Sequence, residues 1–135
     1  MKIEEGVVKN VYPERGTVRV ERQANDGVLS AELKVCFSGT LQNQFYSMPS
    51  IEEHVLCVYP DKTKSDGYVI GCIYSDVTEP PVKDAEKHYV RFKDGSYLEH
   101  DTKTGDVSLY AKGDLRLVAE KKAYLLGTEV HFDYS

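Results

Sequence analysis

Hydrophobic and polar residues alternate along residues 1–75 in short runs that turn-forming residues separate. The runs are rich in valine, isoleucine and tyrosine, which favour β-strands. There are five of them: EEGVVKNVY, GTVRVER, GVLSAELKVCF, EEHVLCVYP and GYVIGCIYS. In the second run Val18 and Val20 share one face and Arg19 and Glu21 the other, as in a strand with one side in water. Turn residues lie between the runs at 13–16, 25–27 and 61–67.

Five strands within about 75 residues match the size of a small barrel of the OB type. We therefore predict an all-β chain in which residues 1–75 form an OB-fold-like barrel. A longer connection, residues 38–51, lies between the third and fourth predicted strands. Barrels of this kind often carry an extra helix or loop at that point.

Residues 76–88, DVTEPPVKDAEKH, predict an extended and unpaired linker, because Pro80 and Pro81 lack backbone donors and charged residues flank them. The next stretch, YVRFKDGSYLEHD, predicts two short strands joined at Asp94-Gly95, a dipeptide that tolerates positive φ. A second domain, residues 89–135, therefore follows the linker.

An eight-residue repeat fills the end of this second domain. Its units are GDVSLYAK, GDLRLVAE, KKAYLLGT and EVHFDYS. The third, fifth and seventh positions of a unit lie two residues apart and so share one face of a strand. In the first three units these positions are apolar and form a predicted core of Val107, Leu109, Ala111, Leu115, Leu117, Ala119, Ala123 and Leu125. Gly127 and Ser135 continue the seventh-position column. The opposite face carries residues that suit water: Asp106, Ser108, Asp114, Arg116 and Lys122.

Repeats of one short strand and one turn are typical of β-solenoids, but so few short units cannot enclose a core within one chain. We therefore predict a C-terminal trimeric intertwined β-helix, in which each of three chains supplies one face around a shared core. The pattern leaves one alternative open, a three-stranded meander packed on the barrel. That alternative does not account for columns that keep their register over four units.

Charge and hydropathy argue against a nucleic-acid partner, a secreted chain and a membrane-spanning one. The chain has 17 Lys and Arg against 22 Asp and Glu, a net charge of −5, and contains no basic run. Nucleic acid is therefore not an expected partner, because binding it needs clustered positive charge. The N-terminus has no signal-peptide pattern, and no apolar run approaches the roughly 20 residues of a membrane helix. We expect the chain to be made and folded in the cytoplasm.

Cysteines and most histidines show no ligand spacing. Cys36, Cys57 and Cys72 each lie in an apolar run without a CxxC pattern, which predicts buried, reduced thiols. Three histidines also lack metal-ligand spacing, namely His54, His88 and His100. We expect these three to be structural or surface residues.

The order of these pieces resembles the baseplate assembly protein V family, the central spike proteins of contractile phage tails and phage-tail-like bacteriocins, related to type VI secretion spikes. The matching features are MPSIEEHVLCVY around the fourth strand, a glycine-containing fifth strand before the proline pair, the F-x-D-G hairpin and the G-D-V/L-x-L octads. The resemblance covers nearly the whole chain. Its specificity lies in the order of the pieces.

The resemblance implies a structural homotrimer with no enzymatic activity. Three barrels would form a collar that joins the spike to the baseplate hub and tail tube, and three tails would form a point that pierces the target cell envelope. Such a protein is made in the cytoplasm of a bacterial host and carried at the tip of the tail, with a separate tip-capping protein as a further potential partner. Some relatives carry a lysozyme domain between barrel and spike, where this chain has only residues 76–88.

The last repeat unit breaks the apolar columns, because His131 follows the Val107 column and Asp133 the Leu109 column. Three carboxylates on one axis repel by roughly 4 kcal/mol per pair at 4 Å in an effective dielectric of about 20. A divalent ion between the two residue layers, which lie about 6.7 Å apart, would relieve this repulsion. Its mixed nitrogen and oxygen ligands suit Fe(II), Mn(II), Ni(II) or Zn(II).

The resemblance favours iron at this tip, since spikes of the family can carry an iron ion bound through a His-x-His pair. This chain has His131-x-Asp133 instead. The alternative is a frayed, solvated terminus that holds no ion.

Two other functions stay open from the sequence. The first is a barrel that binds single-stranded nucleic acid or oligosaccharide, which requires exposed aromatic residues among basic ones. The second is a small metalloenzyme built on His131 and Asp133, which requires an open coordination position.

Overall fold

The computed structural model of the chain describes residues 1–23, 27–60 and 66–134. In these residues the regular structure consists of nine β-strands. The chain divides into two compact units, Met1–Pro81 and Val82–Ser135. The division falls inside the predicted linker, residues 76–88.

The first unit is a closed five-stranded barrel with one short additional strand. The strands of this unit are β1 (Lys2–Tyr12), β2 (Thr17–Arg22), β3 (Val28–Leu29), β4 (Leu33–Val35), β5 (His54–Tyr59) and β6 (Tyr68–Cys72). Neighbouring strands follow the order β1-β5-β6-β4-β2, and β1 also pairs with β2, which closes the barrel. β4 and β6 are parallel to each other. The predicted all-β class and the barrel are confirmed, and the strand order is compatible with an OB-fold.

The barrel interior is filled by alternate residues of its strands. Val18 and Val20 are fully buried, while Arg19 and Glu21 are partly exposed, as the alternation predicted. The other fully buried apolar side chains are Val8, Leu33, Val55, Cys57, Tyr59 and Val69. No described residue after Val69 is buried. The hydrophobic core of the described chain therefore belongs to the barrel.

Gly6 is a tight point of the barrel, because β1 is paired there on both edges, with Arg22 of β2 and Val55 of β5. A Cβ at Gly6 would lie 2.1 Å from Val20 Cγ1, whereas a Cβ at Gly71 in β6 would have no neighbour within 4 Å. We expect Gly6→Ala to lower the free energy of unfolding by about 1–3 kcal/mol through overpacking.

The matched control Gly71→Ala is expected to change the free energy of unfolding by no more than about 0.5 kcal/mol. Urea unfolding followed by circular dichroism measures both variants. Equal midpoints for the two variants would show that the barrel does not close around Gly6 as described.

The third predicted strand, residues 27–37, is two short strands, β3 and β4. The break follows from Ser30, which is buried and donates its backbone N–H to Val20 O at 2.7 Å. Its Oγ accepts the Val20 N–H at 2.9 Å, so a side chain takes the place of a ladder partner. The connection at 38–51 is a loop with one isolated bridge, between Thr40 and Gln44. Of the predicted turns, residues 25, 26 and 61–65 lie outside the described residues.

The three cysteines are free thiols, and only Cys57 is buried. The prediction of three buried thiols was therefore wrong for Cys36 and Cys72, which are exposed. Cys36 lies one residue out of phase with the inward-facing Leu33 and Val35, and Cys72 is the last residue of β6. Burial raises the pKa of the Cys57 thiol to about 11, so this thiol stays protonated and unreactive at neutral pH.

The second unit contains a three-stranded antiparallel sheet in the order β7-β8-β9. Its strands are β7 (Lys87–Arg91), β8 (Tyr97–Asp101) and β9 (Val107–Tyr110). β7 begins at Lys87, one residue before the predicted linker ends. The predicted hairpin at Asp94-Gly95 is confirmed, and Gly95 has the positive φ, 95°, that the turn requires.

After Tyr110 the described residues, 111–134, include no strand. The chain bends at 112–113, 120–121 and 128–129, so the bends recur every eight residues, in step with the sequence repeat. A strand needs a hydrogen-bonded neighbour, and within one chain these segments have none. A β-helix is thus not shown by the single chain.

Candidate assembly face and tip

One side of the β7–β9 sheet carries apolar residues and a pair of histidines. Residues directly opposite each other across an antiparallel pair share a face, and so do alternate residues of one strand. The register therefore places six residues together, in the rows His88–His100–Val107 and Val90–Leu98–Leu109. We call these six residues the apolar face.

Several side chains on the opposite side of this sheet contact one another. Tyr97 stacks on Tyr89 and Tyr110, with ring centroids 5.6 and 5.4 Å apart. Lys87 Nζ lies 3.0 Å from Glu99 Oε1, and this carboxylate raises the pKa of Lys87. These three rings and this ion pair thus make their contacts within the chain.

The apolar face is uncovered in the single chain. The exposed fraction of its four aliphatic side chains runs from 42% at Leu98 to 65% at Val107. Burying an aliphatic side chain of this size fully is worth about 1.5–3 kcal/mol relative to leaving it exposed. A contiguous apolar surface of this kind typically marks an interaction site.

The predicted core residues continue this uncovered surface into the tail. Val107 and Leu109 lie on the apolar face, in β9. Ala111 is half-buried, and the others are exposed, namely Leu115, Leu117, Ala119, Ala123 and Leu125. The single chain therefore fully buries none of the predicted core.

The accessible surface of the chain is 10967 Å². Two separate compact units of these lengths would together expose only about 8,500 Å². The excess is about 2,400 Å² per chain, whereas an obligate interface removes roughly 1,000–2,500 Å² from each partner. The chain thus exposes far more surface than a self-sufficient protein of its length.

The residues that alternate with the predicted core form the other side of the tail. This side, or parity, is polar at first and apolar farther along. Ser108 and Arg116 are polar, as predicted for a water-facing side, and Arg116 Nη2 pairs with Asp114 Oδ2 at 3.0 Å. Farther along, this parity carries exposed apolar side chains at Val118, Tyr124, Leu126, Phe132 and Tyr134. The predicted water-facing side is therefore incomplete, since exposed apolar side chains occur on it from Val118 onward, beside the polar Lys122.

His131 and Asp133 lie among exposed residues near the end of the described chain. His131 Nε2 lies 3.1 Å from Glu129 Oε2, a partner that the sequence pattern did not single out. Within one chain, the described residues include no group of three His, Cys, Asp or Glu side chains placed to hold a metal ion. The donor types fit a divalent transition metal only if several copies contribute, and Glu129 could then orient the imidazole.

Arg15, on the described surface of the barrel, is already paired with carboxylates. Arg15 lies over the Tyr12 ring at 4.6 Å, an arrangement that also binds nucleic-acid bases. However, Arg15 Nε is 2.6 Å from Glu32 Oε1, and Nη1 is 3.0 Å from Glu14 Oε1. The two carboxylates neutralise the cation that a phosphate would need.

No protein-family model matches the chain, and no curated protein matches it at a significant level. The described residues contain no helix that is long and apolar enough to cross a membrane.

Proposed function

We propose that the chain is the homotrimeric central spike of a contractile phage tail or a phage-tail-like bacteriocin. The observation that carries the proposal is an uncovered apolar surface, running from the apolar face of the sheet into a tail that bends every eight residues. In the proposed trimer, two further copies of the same chain bury this apolar surface. Each copy presents the same columns at the same spacing, so three copies match each other in register.

In the proposed spike, the segments between bends pair with segments of neighbouring chains and become strands of a shared β-helix. Leu117 and Leu125 then face the axis in the column that begins with Leu109. Hydrogen bonds and core contacts come from other subunits, so no subunit can unfold alone. That arrangement supplies the stiffness that a piercing tip needs.

The barrel forms the collar of the spike and binds the baseplate hub. Exposed apolar side chains on the loop at 38–51 supply a surface for such a contact: Leu41, Phe45 and Tyr46. Tyr46 stacks on Phe37 with centroids 5.9 Å apart, which stiffens part of that loop. The tail tube then continues from the hub, away from the point.

At the tip, His131 and Asp133 of three chains would hold one transition-metal ion, with iron the first candidate from the family resemblance. The exposed apolar side chains around the tip, such as Leu126, Phe132 and Tyr134, suit a partner that is itself apolar. The target cell envelope and a tip-capping protein both meet that description.

Deletion of the gene from the bacterial strain that encodes it tests the function. We expect induced cells to lack complete contractile tails in electron micrographs, and a plasmid copy of the chain to restore them. A plasmid copy that ends at Pro81, the barrel alone, is expected not to restore them. Complete and lethal tails in the deletion strain would contradict the proposal and favour a binding-barrel function.

A further inference from the structure

His88 and His100 face each other directly across β7 and β8. Their Cβ atoms are therefore about 4.5–5.5 Å apart on the same side of the sheet. Imidazole nitrogens bind Zn(II) at about 2.0–2.1 Å, and two rings on opposed positions can both reach one ion at that distance. The pair thus forms one half of a metal site within a single chain.

This pair lies on the apolar face and not on the polar side of the sheet. His100 is also opposed to Val107, which belongs to the predicted core. If three copies cover Val107 and Leu109, they cover the histidines of the same face too. Burying imidazoles beside aliphatic side chains is costly unless their ring nitrogens find partners.

We infer that His88 and His100 of three copies form a binding site for a divalent transition metal inside the base of the spike. The inference rests on the proposed trimer, because one chain supplies two imidazoles and the described part of one chain holds no complete ligand group. Neutral imidazole suits Zn(II), Ni(II), Co(II) and Fe(II) but not Mg(II) or Ca(II), which prefer oxygen ligands.

A carboxylate lies at the same end of the sheet. Glu86 precedes His88 by two residues, and Thr102 Oγ1 lies 2.9 Å from Glu86 Oε2. The Thr102 backbone N–H also donates to Glu86 O at 2.9 Å, which ties both residues to the end of the β7–β8 ladder. Glu86 therefore places negative charge near the pair, which favours a cation there.

Zinc titration of the intact purified chain tests this site. After chelator treatment, zinc chloride is titrated by calorimetry into a His131→Ala background, in which the tip cannot contribute its imidazole. We expect that background to bind zinc, and expect either His88→Ala or His100→Ala to weaken the binding by at least about tenfold. His54→Ala, which removes a histidine of β5 in the barrel, is the matched control and is expected to leave the affinity unchanged.

The molecular mass of the same samples separates the two proposals. If the protein is a trimer and neither substitution changes its zinc affinity, the proposed metal site is contradicted but the proposed spike is not. A monomeric wild-type chain overturns the spike and, with it, the shared site. If an alanine variant no longer assembles, the imidazole NMR signals of the unsubstituted trimer decide. Zinc-dependent shifts at both histidines support the site, and unchanged signals overturn it.

Discussion

Leu117→Asp is expected to abolish trimer assembly, and Val118→Asp is expected to leave the trimer intact. The two residues are neighbours in the tail, and both are strongly exposed in the single chain, at 82% and 91%. The two residues differ in the side of the tail on which they lie. Leu117 belongs to the column that faces the axis in the proposed β-helix, and Val118 belongs to the outward side.

The expected effect at Leu117 is large because it is repeated three times around one axis. Three introduced carboxylates repel by roughly 4 kcal/mol per pair at 4 Å in an effective dielectric of about 20. Each chain also loses a buried leucine, and large-to-small core changes typically cost about 2–5 kcal/mol. The sum exceeds the total stability of an ordinary domain, about 5–15 kcal/mol.

Size-exclusion chromatography with light scattering compares the two variants at equal concentration. The interwoven arrangement predicts a monomer for Leu117→Asp and a trimer for Val118→Asp. A trimer for both variants, or the reverse assignment, would show that the leucine column does not face the axis.

Arg22→Leu is expected to lower the free energy of unfolding of the barrel by about 3–5 kcal/mol, the cost of leaving one partner of a buried ion pair behind. Glu4 and Arg22 are both nearly buried, with 8% and 7% of their surface exposed. Arg22 Nε donates to Glu4 Oε1, and the Arg22 guanidinium lies 4.7 Å from the centre of the Tyr59 ring. Lys2 Nζ lies 3.4 Å from the other oxygen of Glu4.

A double substitution separates the Glu4–Arg22 interaction from the cost of burying each charge. Replacing both residues by leucine removes both charges, so we expect the double variant to be more stable than the sum of the single variants predicts. Urea unfolding at one fixed protein concentration measures all four proteins, since the midpoint of an oligomer depends on concentration. Additive losses would mean that the two charges do not depend on each other.

The Glu4–Arg22 pair makes the free energy of unfolding depend on pH in a definite direction. The hydrogen bond from Arg22 lowers the pKa of Glu4 below its ordinary value of 4.5, against the opposing effect of burial. A lowered folded-state pKa stabilises the folded protein fully above pH 4.5, and the contribution is lost as pH falls through the folded-state value. The stability difference between wild type and Glu4→Gln should therefore be constant at neutral pH and shrink in acid.

The strands of the barrel were predictable because half-buried strands leave a period of two in the sequence. Val18 and Val20 showed that period plainly. The Glu4–Arg22 pair was not predictable in this way, because charged residues in strands normally face water. Arg22 follows Val18 and Val20 on the inward-facing side of β2. Its pairing with Glu4, however, depends on the register between β1 and β2, which carries no marker in either strand alone.

The His88–His100 pair shows a different limit. The two histidines lie twelve positions apart. This is not a ligand spacing along a chain, and so they were expected to be structural or surface residues. The hairpin signal at Asp94-Gly95 predicts this pair. A turn centred on Asp94 places residues at equal distances from Asp94 opposite each other on the two strands. Combining turn position with strand register would have found the pair.

The tail shows what one chain can and cannot specify. Its octad repeat was visible in the sequence, and the bends at 112–113 and 120–121 have the same period. The apolar outward residues such as Tyr124 and Phe132 were missed, because the polar residues of the first units were taken to represent the whole outward side. Strand pairing in this region needs neighbours that a single chain does not contain.

The central claim is that the apolar columns of the tail are covered by two further copies of the same chain. Sedimentation equilibrium of the purified, unmodified protein measures this most directly. The account predicts a single species with a mass three times that of the 15.2 kDa chain, unchanged on dilution to nanomolar concentrations. A stable, well-folded monomer of 15.2 kDa would contradict it.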